Sequence, residues 1–329
     1  LDQFEKTLNH FRTERFAVFV PEGNNGDKLI SLGLEKKLSN LKICFSKHEV
    51  SEVFFSTSSD NSSFFNKAAF LSKVSIEKAS GFTDKTRILT GMLDKMNHKL
   101  ALRQSVPKNM SDVIIINGGG NINDYYPRGK ELMIRIVKEN PRSVIIVGPE
   151  TFYFLKDSPF IEFLKKISQE IFLFCREKYS YNLMNSINLP NNVNICLSDD
   201  TALYLSSADL AKITFNIPHP SKLYDLVCLR TDKESAVKRS ILTKELKNDA
   251  VLAKDISEYS SFPQFVSLAQ HAERIYTDRL HVAILGSIFG KKTCLFPNSY
   301  FKNKGVFEYS LFKKPCMKFV QNPELLTLS

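Results

Sequence analysis

The chain has 329 residues, 43% of them hydrophobic and 24% charged, a balance that excludes a disordered or low-complexity protein and is long enough for two domains. Its longest apolar runs, such as Val113–Ile116 and Val144–Val147, are strand-length, so no membrane span is expected. A net charge of +10 favours acidic partners, but the basic residues are scattered and no nucleic-acid module signature occurs, which argues against a nucleic-acid groove.

In chain order, Phe16–Val20 (FAVFV) predicts a strand, followed by the loop PEGNNGD and a helix from Lys28 to about Leu38. Val53–Phe55 predicts a second strand and residues 83–103 a helix. Asp112–Asn117 (DVIIIN) predicts a buried strand, then come Gly118-Gly119-Gly120 and a helix from near Arg128. Strands also fit Ser143–Val147, Ile171–Cys175 and Val193–Leu197. Two prolines and weak periodicity over residues 206–222 predict a linker. A second alternating unit follows: strand Leu226–Leu229, a basic segment to about Lys247, a helix near 262–272, strand Arg274–Tyr276, a helix capped by Thr277 or Asp278, and strand Thr293–Phe296.

Continuous apolar strands separated by helices indicate an α/β protein whose parallel sheets are covered on both faces. The expected architecture is two Rossmann-like domains, residues 1–210 and 220–329, whose sheets face a cleft. The cysteines at 44, 175, 196, 228, 294 and 316 form no C-x-x-C pair and mostly sit in apolar runs, which reads as buried structural thiols and no metal site.

In open parallel sheets, ligands bind beyond the carboxyl ends of the strands. The polar loops fall there repeatedly: Gly23-Asn24-Asn25-Gly26-Asp27, Gly118–Asp124, Gly148–Thr151, Arg176-Glu177, Asp199-Asp200-Thr201, Arg230–Glu234, Asp278–His281 and Asn298–Lys302. GNNGD is not a P-loop, since Lys28 is followed by Leu29, and it also reads as a turn with a helix cap. GGGN lacks dinucleotide-binding spacing, but three glycines let backbone approach a ligand and present N–H donors. Asp199-Asp200 reads as a cap and a surface charge. Neither G-x-S-x-G nor H-E-x-x-H occurs. TDRLH (Thr277–His281) sets a cation and a titratable imidazole two residues apart, which can share a ligand only at a helix mouth.

In this order, GNNGD, GGGN, Cys175-Arg176-Glu177 with Ser180, LRTDKE, TDRLH and NSYFK resemble the polysaccharide pyruvyl transferase family over about Phe16–Phe307. Glu150 and Asp199 depart from its pattern, standing where a neutral amide and a proline are common. The resemblance implies a GT-B-like fold and transfer of the enolpyruvyl skeleton of phosphoenolpyruvate to a sugar as a cyclic ketal, with release of phosphate. It extends to the yeast Golgi members that cap galactose residues. It thus implies a galactose-containing glycan acceptor, with the first domain on the acceptor side and the second on the donor side. No cofactor is expected besides the donor substrate.

Phosphoenolpyruvate carries a carboxylate and a phosphate, so its site requires fixed cations and oriented N–H groups. Arg279, Arg176 and Lys302 are the expected cations. Protonating the methylene carbon calls for a group that exchanges protons near neutrality, which suits His281. Asp27 is the expected general base, with Asp124 and Glu234 also open. Asn25, Gly119, Gly120, Asn121, Leu280 and Ser299 are expected at the substrate. The sequons at Asn61 and Asn109 and the start at Leu rather than Met fit a Golgi-lumen enzyme that has lost an upstream anchor, against a cytoplasmic alternative. A nucleotide-sugar glycosyltransferase and a non-catalytic binder of anionic glycans are the competing functions.

Overall fold

The computed structural model describes residues 2–21, 23–50, 106–154, 158–217, 222–237 and 250–322. The expected strand at Val53–Phe55, the helix at 83–103, most of the basic segment before Lys247 and the sequon at Asn61 lie outside them.

The chain builds two parallel sheets. The first has six strands: β1 (Phe16–Pro21), β2 (Phe45–Val50), β3 (Val113–Ile116), β4 (Val144–Glu150), β5 (Ile171–Cys175) and β6 (Val193–Leu197), in the order β2-β1-β3-β4-β5-β6. The second has five: β7 (Tyr224–Cys228), β8 (Val251–Ala253), β9 (Ala272–Thr277), β10 (Lys292–Leu295) and β11 (Met317–Phe319), in the order β11-β10-β9-β7-β8. In each, strand order reverses once, between β1 and β3 and between β7 and β9. Those two points open crevices at the carboxyl ends of the strands.

The apolar strands are continuous because both faces of the first sheet are covered. Ala17, Phe19, Ile114, Ile116, Ile145 and Val147 pack under α3 (Pro127–Glu139), α4 (Pro159–Leu164) and α5 (Lys178–Asn185). Their neighbours Phe16, Val18, Val113, Ile115 and Ile146 turn the other way, onto α1 (Gln3–His10) and α2 (Asn25–Asn40). The second sheet lays Leu226, Cys228, Ile275 and Leu295 against α7 (Phe262–His271) and α8 (Leu280–Ile288). The architecture is therefore two-lobed α/β and GT-B-like, as expected.

Helix α2 joins the lobes: Leu34 and Leu38 belong to the first lobe's core, whereas Leu29 lies in the second's. It starts at Asn25 rather than Lys28, because Asn24 caps Gly26 N–H and Asp27 closes a capping box. The expected linker at 206–222 is half helix, α6 (Ser207–Thr214), capped by Ser206 with Asp209 and packed through Leu210 on the second lobe. Cys175, Cys196 and Cys228 are buried as expected, while Cys44 is exposed. Among the described residues, no helix is long and apolar enough to cross a membrane.

Candidate active site

A cleft of about 650 Å³ lies where the two switch points meet. The first lobe contributes Gly23, Asn24, Asp27, Gly120, Asn121, Tyr126 and Arg176; the second contributes the Arg230–Glu234 loop, Ser257, Glu258, Arg279, Leu280, His281 and Lys302. Of the residues expected from sequence, it gathers His281, Arg279, Asp27, Arg176, Lys302, Gly120, Asn121 and Leu280.

Three expected residues stand elsewhere. Asn25 is buried and ties the lobes together, its Nδ2 donating to Ser260 O (2.7 Å) and Ile256 O (3.3 Å). Gly119 sits behind the cleft wall at φ +141°, its N–H on Pro149 O and its carbonyl accepting from Thr151. Ser299 is exposed, with its N–H on Glu234 O. Of the two other carboxylates open as bases, Asp124 pairs with Lys130 away from the cleft wall, and Glu234 lines the cleft.

TDRLH opens α8 differently from the capping expected. Arg279 is the N-cap residue and has no side-chain cap bond. Thr277 Oγ1 instead donates to Cys228 O (2.6 Å) and accepts from Arg279 N, and Asp278 Oδ1 accepts from Arg230 N (2.8 Å). The side chains of 277 and 278 thus pin the β9 end to the β7 end. Arg279 and His281 then fall in the unclosed first turn, where both line the cleft.

The three guanidiniums and Lys302 are held by carboxylates, whereas Lys233 donates to the Tyr125 carbonyl. Arg176, 1% exposed, donates through Nε to Thr151 Oγ1 and through Nη1 to Asp200 Oδ2, both at 2.8 Å, leaving Nη2 toward Gly120. Arg279 is clasped by Asp255, with Asp232 at 3.5 Å and Glu258 at 3.4 Å. Arg230 pairs with Asp232 and Glu234, and Lys302 Nζ with Glu234. His281 Nε2 lies 3.4 Å from Asp200 Oδ2. Asp27 spends Oδ2 on the N–H of Asn24, so the turn-and-cap reading of GNNGD holds alongside its place in the cleft.

Charges of both signs set the local electrostatics. Burial lowers Lys302 to about 8, with Arg230 and Arg176 adding to the effect against the pull of Glu234. Burial would raise the Glu234 carboxyl, but Lys302 and Arg230 bring it down to about 2. Burial would likewise raise Asp200, and His281 and Arg176 hold it well below the usual carboxylate range. Burial would also lower Arg176, Arg230 and Arg279, yet their carboxylate partners raise all three, just as neighbouring cations depress Glu234 and Asp200. Glu150 goes the other way: it is fully buried, and desolvation pushes it up to about 8 despite Arg176 and the N–H of Ile122 on its Oε1. Near neutrality it is mostly a neutral carboxyl, which accounts physically for an acid at a position where an amide is common.

Sequence reasoning missed Asp200, Asp255 and Glu258 as partners of the site's charged groups. They lie apart along the chain from Arg176, His281 and Arg279; Asp255 and Glu258 carry no local pattern, and Asp200 reads from sequence only as a strand-end cap. Arg230 and Asp232 had a signal, the LRTDKE segment.

A model of the family described as "Polysaccharide pyruvyl transferase" matches residues 24–300. The Bacillus subtilis (strain 168) protein named "Putative pyruvyl transferase EpsO" is 23% identical over 239 residues, covering 64% of this chain and 73% of that one. The crystal structure of a functionally uncharacterized protein from Klebsiella pneumoniae superposes with a TM-score of 0.62 at 21% identity, over 97% of this chain and 98% of the other, and supports the fold. The matched span takes in every segment that lines the cleft except Gly23 and Lys302. The chain belongs to the polysaccharide pyruvyl transferase family and is an enzyme of the pyruvyltransferase type.

Proposed function

We propose that the enzyme transfers the pyruvyl skeleton of phosphoenolpyruvate onto two hydroxyls of a terminal β-galactose of a glycan, forming a cyclic ketal and releasing phosphate. The observation that carries this reading is the convergence of Arg176, Arg230, Arg279, Lys302 and His281 on one cleft. A substrate with both a carboxylate and a phosphate matches such a set.

In this scheme His281 gives a proton to the methylene carbon, and positive charge develops at the adjacent carbon. A sugar hydroxyl attacks that carbon; the carbon–oxygen bond to phosphate then breaks, and a second hydroxyl closes the ring. One hydroxyl proton restores His281 and the other leaves on phosphate, so the sum is donor plus diol to ketal plus phosphate. Asp27 receives the hydroxyl proton on its way. The second lobe, with Arg230, Arg279 and Lys302, holds the donor, and the first lobe presents the acceptor. On this reading the enzyme works in the Golgi lumen, where galactose-bearing glycans are elaborated, and Asn109 is exposed for modification there.

The test is phosphate release from phosphoenolpyruvate with a β-galactoside, with mass spectrometry of the sugar. Wild type is expected to give a product of ketal mass, and His281→Ala to lose about 10²–10⁴-fold in rate. Absence of phosphate release, together with consumption of a nucleotide sugar, would overturn the reading.

A further inference from the structure

Asp200 is fully buried and makes more bonds than a cap requires. Its Oδ1 accepts from Ala202 N (2.9 Å) and caps the turn at Thr201–Tyr204, a duty Ser or Thr performs equally well. Its Oδ2 is engaged separately, by Arg176 Nη1 at 2.8 Å and by His281 Nε2 at 3.4 Å. Arg176 follows β5 of the first lobe, and His281 opens α8 of the second, so one carboxylate oxygen joins a cation and the imidazole across the lobe boundary. The opposite edge of the ring rests on α2: a β-carbon at Gly26 would come within 2.4 Å of His281 Nδ1. The other charged groups lining the cleft are Asp27, Arg230, Asp232, Lys233, Glu234, Glu258, Arg279 and Lys302.

We propose that Asp200 is the positioning residue of His281, holding the ring at the cleft and fixing Nε2, the nitrogen that faces it, as the one that keeps hydrogen in the neutral ring. An ionised carboxylate only accepts hydrogen bonds, so the nitrogen facing it must carry hydrogen. The 3.4 Å separation is longer than the usual N–H···O bond, and contacts of this kind commonly tighten once substrate is bound. The functional part of this assignment rests on the reading of His281 as proton carrier; the pairing itself does not.

The experiment is an NMR measurement of which His281 ring nitrogen carries hydrogen, in wild type and in Asp200→Asn, paired with kcat for Asp200→Asn, His281→Ala and the double variant. In Asp200→Asn, the neutral ring should lose its preference for hydrogen on Nε2. kcat should fall on the order of 10²-fold or more, and the further loss when Asp200→Asn is added to His281→Ala should be much smaller, what remains being the share that passes through Arg176. Asp200→Ser, which keeps the cap and removes the Oδ2 pairing, should lose the Nε2 preference as Asp200→Asn does and serves if the amide variant fails to fold. An unchanged Nε2 preference, or an equal added loss in the double variant, would overturn the proposal. Full activity in His281→Ala would instead sink the proton-carrier role, while the position of the ring hydrogen still decides the pairing.

Discussion

The two switch points share a topology and differ in their chemistry. At the first, after β1 and β3, the chain offers Asn24, Gly120 and Asn121, joined by a single buried guanidinium, Arg176, from the end of β5. At the second, after β7 and β9, it offers Arg230, Asp232, Glu234 and Arg279, crosslinked by ion pairs. One lobe lets a ligand come close to backbone; the other holds charges fixed before the ligand arrives, so that little reorganisation accompanies binding. Doubly wound sheets thus place a site without dictating what fills it.

The sharpest way to break this contrast is to remove one guanidinium from each lobe. Arg279→Met leaves Asp255, whose side chain is 2% exposed, without a cation, and is expected to cost about 3–5 kcal/mol in urea unfolding. Arg176→Met strands Asp200 less completely, because His281 remains beside it, so its cost should be smaller. Adding Asp255→Asn to Arg279→Met should restore most of the stability and none of the activity. Equal costs for the two Met variants would erase the distinction between the lobes' networks.

A middle-sized effect lies in pH. Lys302, lowered to about 8 chiefly by burial, should lose its charge above that pH, and KM for phosphoenolpyruvate should then rise about tenfold per unit. The stability sign is opposite. A Lys depressed below its unfolded value of 10.5 penalises the fold while charged, and that penalty lifts as pH climbs from about 8 toward 10.5. Activity therefore falls where Lys302's own contribution to stability improves. Lys302→Arg should flatten the KM limb, and an unchanged limb in that variant would assign the titration to another group.

What was legible in the sequence follows the same division. β3 and β5 could be placed because strands covered on both faces are apolar throughout, and the loops beyond them stood out by contrast. The helix at Ser207–Thr214 was missed because two nearby prolines suggested a linker, although Ser206 with Asp209 is a capping box in plain sight. The cations and the imidazole were legible as residue types at strand ends. Their carboxylate partners were not: Asp255 meets Arg279 and Asp200 meets His281 only through the fold. Asn25 shows the converse error, a polar loop residue that closes the lobes instead of touching the cleft.

The smallest expected effect tests the first lobe's half of the comparison, in the triple glycine. At Gly118 a β-carbon would come within 2.3 Å of the Pro149 carbonyl, so the backbone itself demands glycine there. Gly120 differs: its nearest neighbour to a built β-carbon is Arg176 Nη2 at 3.4 Å, an ordinary contact. Gly120→Ala should therefore change stability by no more than about 0.5 kcal/mol. The added methyl occupies the cleft wall beside Arg176 and Lys302, and KM for the donor should rise about fivefold, on the order of 1 kcal/mol. A stability loss without a KM change would mean that Gly120 serves the loop rather than the ligand, and the first lobe's claim to bind through close backbone approach would fail.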